Sequence, residues 1–327
     1  MVSEATTQKD YTPLSKAQRL RHKYVNFNFL KSMVWKIVRL LLLLELVYVI
    51  IFPFLVKIAS SFMSSADIVD KTVRFLPKAP TLDNFKLVIE RTDYFTSLWH
   101  TLLVSLMCGA LSVFVAATVG YGLAKFRFRG RGILMFFVIL GFLIPPETVL
   151  LPLFMKFRYF DIFGLIELMT GQAVNLLDSM VPLALLTVTG FGFRSGLYIL
   201  LMRQFYKGLP EELSEAAYVD GCGTIRTFVR IILPLSLTML TTVFLFSFAW
   251  QWTDTFYSGI FFKGFETLSN TIFTVSFMPV DGVMYGTRLS SILLNAATLL
   301  ALLPLVVFYL FAQKRLVQGV ERSGLVG

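Results

Sequence analysis

Two short stretches of this chain carry groups that could bind or work on something. The first is Trp250, Gln251, Trp252, Asp254 and Tyr257, set in an otherwise apolar run. Aromatic faces stack on the CH faces of sugar rings, and a few placed polar groups fix orientation by hydrogen bonding. Trp250 and Trp252 stand about 200° apart on a helix, so they cannot share a face. Asp254 follows Trp250 by four residues, which on an unbroken helix puts both on one side. Trp250, Asp254 and Tyr257 are therefore the preferred pathway set, with Asn295 in a later apolar run as a further candidate. An aromatic belt at a membrane interface is the plain alternative for the first group, and a helix–helix hydrogen bond for Asn295. Arg194 lies within Thr189-Gly190-Phe191-Gly192-Phe193-Arg194-Ser195-Gly196. An arginine at membrane depth is costly and faces protein or water. It reads as a pathway residue favouring acidic or bulky oligosaccharides, or else as one arm of a salt bridge or an interfacial group.

The second stretch is Pro210 to Pro234, PEELSEAAYVDGCGTIRTFVRIILP. Pro210 suits the first position of a helix, where its missing N–H is no loss. Glu211, Glu212 and Glu215 follow where the helix dipole favours anions. Ala216 and Ala217 give a small, smooth surface. Gly221 and Gly223 mark a helix end, and Thr224 is placed to cap a second helix. Ile225, Phe228, Val229 and Ile232 recur at the spacing of one buried face, and Pro234 closes it. The segment predicts two short helices around a tight glycine turn, presented to a partner.

Chemistry of other kinds finds little support. The chain has two histidines, His22 and His100, and two cysteines, Cys108 and Cys222, with no metal-type spacing. No paired carboxylates share a helix face, and no GxxxxGK[ST] loop is present to hold a nucleotide. The sequence thus offers no nucleotide or cofactor site of its own. A net charge of +10 raises nucleic acid as a partner, but the charges sit beside apolar spans, as the positive-inside rule describes.

The elements that position these residues are set by composition. Of 327 residues 56% are hydrophobic and 15% charged, against about 25% charged in soluble domains. Mean hydropathy is +0.72. Apolar runs near 33–56, 98–124, 132–156, 181–206, 235–259 and 289–313 are each long enough for the roughly 20 residues that a spanning helix needs. Glu45, inside the first, reads as turned towards the other helices. Pro145 and Pro146 break or kink the third. Gly109, Gly120 and Gly122 permit close helix approach in the second. The fold expected is an all-α polytopic membrane protein with six transmembrane helices. A basic segment, 1–36, precedes a transmembrane domain, 37–312. The two-helix loop, 208–234, lies between the fourth and fifth spans, and a tail, 313–327, closes the chain. Residues 1–39, 125–131, 203–234 and 313–327 are assigned to the cytoplasm, because these four stretches hold 19 of the 30 Lys and Arg.

The spacing Glu215-Ala216-Ala217, Gly221, Ile231, Leu233-Pro234 resembles the EAA loop of ABC importer permeases. Met202-Arg203-Gln204-Phe205 through Pro210-Glu211-Glu212-Leu213 is similar to the sugar-type branch, to the smaller maltose permease subunit in particular. The resemblance implies a permease of a type I importer in a bacterial plasma membrane. Its partners would be a second permease subunit, two cytoplasmic ATPase subunits and an extracytoplasmic solute-binding protein. In that family the EAA loop is the coupling helix seated on an ATPase. The closing residues Gln318, Gly319 and Gly324 resemble a tail that reaches between the ATPase subunits; a frayed terminus is the alternative. A permease for glycerol phosphate esters or a stand-alone secondary carrier are the rival readings.

Overall fold

The computed structural model describes residues 27–275 and 287–324; the basic residues before Phe27, residues 276–286 and Leu325–Gly327 lie outside the described residues. The described chain is built of helices. They are α1 (Phe27–Ser61), α2 (Ser65–Val69), α3 (Asp83–Arg91), α4 (Tyr94–Lys125), α5 (Arg131–Leu143), α6 (Leu150–Arg158), α7 (Leu165–Thr170), α8 (Val181–Val188), α9 (Ser195–Lys207), α10 (Glu212–Val219), α11 (Thr224–Thr227), α12 (Leu233–Leu235), α13 (Leu237–Trp252), α14 (Phe256–Phe261), α15 (Leu268–Val275) and α16 (Thr287–Gly324). Residues up to Ala59 and from Ser60 onward form two compact units. In the first, residues 31–51 of α1 are exposed throughout, Glu45 included.

In the second unit α4 is the spine, packed most extensively against α9 and α13. Its glycines explain how closely. A Cβ on Gly120 would lie 2.8 Å from Met202 Cβ and 3.1 Å from the Arg203 amide nitrogen, and one on Gly109 would lie 2.8 Å from the Phe244 ring. Gly122 differs from the expectation: the nearest atom to its Cβ would be 4.0 Å away, on Phe126. At the Lys125 end of α4 the core is Tyr121, Met202, Tyr206, Ile232 and Val243; towards the opposite end it is Val104, Cys108, Leu183, Tyr257 and Phe261.

Three described helical stretches are long and apolar enough to cross a membrane: Lys31–Ser61, Tyr94–Lys125 and Leu289–Gln313. Two more arise if bent pairs count as single spans. One pair, Arg131–Leu143 with Pro146–Arg158, bends by 97°. Pro145 and Pro146 supply no N–H to continue the ladder of α5, so the third apolar run is two helices and not one. The other, Thr224–Leu235 with Leu237–Trp252, bends by 75°. The fourth apolar run is also divided. Helix α8 ends at Val188, and α9 begins only after a turn with Gly190 and Arg194 at positive φ.

Candidate functional site

The loop 208–234 is a helix–turn–helix whose turn is built locally. The Gly221 N–H donates to Tyr218 O (3.0 Å) and the Cys222 N–H to Ala217 O (2.9 Å). These two bonds form the Schellman closure of α10, which needs a left-handed residue after the cap. Gly221 provides it, with φ 77°. The predicted boundaries shift slightly. Glu211 is the N-cap of α10, so Pro210 precedes the helix instead of opening it. Gly223 is the N-cap of α11, so Thr224 is its first residue and not its cap.

The buried face after the turn is also rotated from the expected one. Ile232 and Thr227 are fully buried and Phe228 packs on the core, but Ile225 and Val229 are exposed. Ile225 sits two residues, about 200°, from the buried Thr227, and beyond them comes a π-helical turn over Phe228–Ile232, where the Leu233 N–H reaches back to Phe228 O. The five-residue step inserts one residue into the helical period. Pro234 two places on has no N–H for the usual bond.

Of the motif residues, Glu215 and Ala216 are exposed on α10, whereas Ala217 is buried at 3% exposure, packed within its own chain and not offered to a partner. Ile231 and Leu233 lean on the core, and Pro234 is exposed. Around Glu215 the loop leaves apolar groups uncovered, Val219 at 89% and Ile225 at 80% exposure. The loop is tied to α4 at two points, and Tyr206 of α9 packs beside them. The Lys125 Nζ donates to Leu209 O at 2.9 Å. The Tyr121 and Phe228 rings lie 4.6 Å apart. Tyr206 packs edge-on against Tyr121 at 5.6 Å, with its hydroxyl 3.5 Å from Ser236 Oγ. Tyr121 was not singled out by the sequence, where it is one aromatic residue among many.

Towards the opposite end of α4 lies a cavity of about 540 Å³ lined by Pro145, Pro146, Leu186, Phe193, Arg194 and Tyr257 among others. Arg194 caps the start of α9 with φ 59°, a left-handed conformation that costs a side-chain-bearing residue about 1–2 kcal/mol. Its guanidinium stands over the Trp250 ring, 3.0 Å from the centroid, and 5.2 Å from the Phe193 centroid. Phe193 in turn meets Trp250 (5.6 Å) and Tyr257 (6.0 Å). Arg194, Trp250 and Tyr257 are thus brought together, and Phe193, which sequence reasoning passed over, joins them. Trp252 points elsewhere, donating its indole N–H to Ala301 O at 3.0 Å.

Asp254 does not share a face with Trp250. Helix α13 ends at Trp252, and the Asp254 carboxylate accepts the amides of Phe256 (3.2 Å), Tyr257 (3.3 Å) and Ser258 (2.9 Å) and the Ser258 hydroxyl (3.0 Å). It is 5% exposed and holds the start of α14. Asn295 likewise serves packing, its amide donating to Ser60 Oγ at 2.9 Å. Helix α16 continues through Gln318 and Gly319 to Gly324, so the first part of the tail is helical.

The family described as binding-protein-dependent transport system inner membrane component matches residues 110–322, and the chain belongs to that family. Among its relatives are a diacetylchitobiose uptake system permease protein of Streptomyces coelicolor and an arabinooligosaccharides transport system permease protein of Bacillus subtilis. The first is 26% identical over 281 residues, covering 85% of this chain and 92% of the relative. The second is 26% identical over 289 residues, covering 88% and 93%. The fold is that of a bacterial ABC transporter involved in the import of the acidic polysaccharide alginate, with a TM-score of 0.68 at 20% identity over 87% of this chain and 97% of the other.

Proposed function

We propose that this chain is the permease subunit of an ATP-driven importer for a carbohydrate, an oligosaccharide, moved by alternating access. The relatives named as permeases for diacetylchitobiose and arabinooligosaccharides support the solute class. In this reading six spans place both termini in the cytoplasm, the broken segments 131–158 and 181–207 counting as one span each. The loop 208–234 then faces the cytoplasm as the coupling element for one of two ATPase subunits, which bind ATP and Mg. A second permease subunit completes the pathway, and an extracytoplasmic binding protein delivers solute.

The observation that carries the reading is the loop itself. Its exposed side offers Glu215, Ala216, Val219 and Ile225, while its buried side is fastened to α4 through Tyr121 and Lys125. A surface uncovered on one side and anchored on the other transmits a push to the spans. The test is Glu215→Lys in the assembled transporter. ATP-dependent oligosaccharide uptake is expected to be lost while the chain still inserts in the membrane. Undiminished uptake, or uptake by the chain without any ATPase, refutes the coupling role.

A further inference from the structure

Arg194 carries a charge that no acidic group of the described chain balances. The ion pair that the described residues form joins Lys78 and Asp70, on a different connection. The Arg194 Nε is buried and lacks a hydrogen-bond partner. Two acids come near in the fold. Asp254 spends its oxygens on the amides of α14, and Glu147, on the 3₁₀ turn Pro146–Val149 at the cavity wall, makes no ion pair with it.

The guanidinium carbon stands over the Trp250 ring. With Nε buried, the edge formed by the two terminal nitrogens holds the other four of its five N–H donors. That edge belongs to a residue lining a cavity of about 540 Å³, within the size range of small-molecule sites. The walls are apolar apart from Arg194 and the Tyr257 hydroxyl, so no other cation competes for an incoming anion. A planar fork of N–H donors pairs best with a planar oxyanion, two bonds in parallel.

We propose that Arg194 receives a carboxylate of the transported solute, so that this chain selects sugar acids over neutral sugars. The proposal rests on reading the chain as a carbohydrate importer subunit. Trp250 holds the guanidinium and Tyr257 lines the space for the sugar ring. A phospholipid headgroup could offer a similar oxyanion, and the test separates the two sources.

The experiment follows tryptophan emission of the assembled transporter in phosphatidylcholine nanodiscs during titration with digalacturonate or with the neutral disaccharide galactobiose. A saturable change is expected with digalacturonate and none with galactobiose at the same concentration. It should vanish in W250F and R194Q. In R194K, which keeps the charge but not the fork, the apparent affinity should fall at least about tenfold. Equal responses to both sugars, no response to digalacturonate, or a response retained in R194Q would overturn the proposal. So would an emission shift on moving to phosphatidylglycerol nanodiscs without sugar, abolished by R194Q, because it assigns the anion to lipid. Retention of the ATPase subunit through purification is scored alongside. A failed sugar response with the ATPase retained removes this inference alone, while loss of the ATPase from wild-type protein removes the importer reading beneath it.

Discussion

The guanidinium of Arg194 lies 3.0 Å from the centroid of the Trp250 ring. One residue comes from the turn between α8 and α9 and the other from the last turn of α13. Their stack ties two broken segments together beside the same cavity.

A ring under a desolvated cation contributes about 0.5–2 kcal/mol, which corresponds to roughly a two- to thirtyfold effect on an equilibrium. Trp250→Leu is expected to lower the initial rate of solute uptake within that range, with Trp250→Phe between it and wild type. A leucine variant as active as wild type would mean that the stack plays no part in transport.

Gly120 and Gly122 offer a matched pair on α4. Alanine at Gly120 drives a methyl into Met202 Cβ and towards the Arg203 backbone, and is expected to destabilise by about 1–3 kcal/mol. Alanine at Gly122 makes only an ordinary contact with Phe126, at 4.0 Å, and should be neutral or stabilising by up to about 1 kcal/mol, as Gly→Ala is within a helix. Thermal inactivation of the two purified variants distinguishes them; an equal loss of stability in both would contradict the packing described.

Gly221 is surrounded by open space but has φ 77°, so replacing it costs through backbone conformation alone. Gly221→Val is expected to cost at least about 1–2 kcal/mol in the turn, whereas Gly221→Asn, a residue that visits the left-handed region, should stay near wild type. ATPase retention on purification and uptake both report on this. If asparagine is as damaging as valine, the glycine is needed for room at a partner surface and not for its φ.

Asp178 joins two connections. Its carboxylate accepts the amides of Gly264 (2.9 Å) and Lys263, and its own amide donates to Phe261 O (2.7 Å). The Gly264 N–H first, then that of Lys263, holds the carboxyl below its ordinary value of 3.8. Because the native value is depressed, the contribution to stability is complete above the ordinary, unfolded value. It is lost as the pH falls through the native one. Between pH 5 and 8 this clamp should therefore show no pH dependence. Asp178→Asn, lacking the charge at any pH, should speed tryptic cleavage after Lys263 at pH 8; an unchanged rate would show that the amides do not need the charge.

Tyr121 is where the loop meets α4. Tyr121→Leu should leave the exposed face of α10 intact, and with it ATPase binding, while lowering the uptake obtained per ATP hydrolysed. Loss of ATPase binding in this variant would locate the effect in the loop's folding, contrary to a relay through the ring.

The glycine turn at 221 was legible because a Schellman closure is local: its bonds span five residues, and only the left-handed position constrains the residue type. The separation of Trp250 from Trp252 was equally readable, since it follows from 100° per residue while the helix lasts. Asp254 was misplaced because the helix stops at Trp252. Thr253-Asp254-Thr255 are residues that favour caps over helix interiors, and they held the warning. The π turn at Phe228–Ile232 left a fainter trace, the missing N–H of Pro234, and the burial of Thr227 in place of Ile225 and Val229 is set by packing that no local spacing shows. Phe193 and Tyr121 gain their roles only from neighbours about 60 and 100 residues away in sequence, Trp250 and Phe228, and no spacing rule reaches that far.

Helix α16 runs 38 residues with Pro304 inside it. From Pro304 to Gly324 the helix is about 30 Å long at 1.5 Å per residue. Proline is where a helix flexes, because its ring removes one rung of the ladder. Gly324 is thus the tip of a lever whose fulcrum is Pro304: a rotation of 10° there swings it through about 5 Å, by the same rise per residue. A small angular change in the bundle becomes a displacement wide enough to make or break a contact far from where it began.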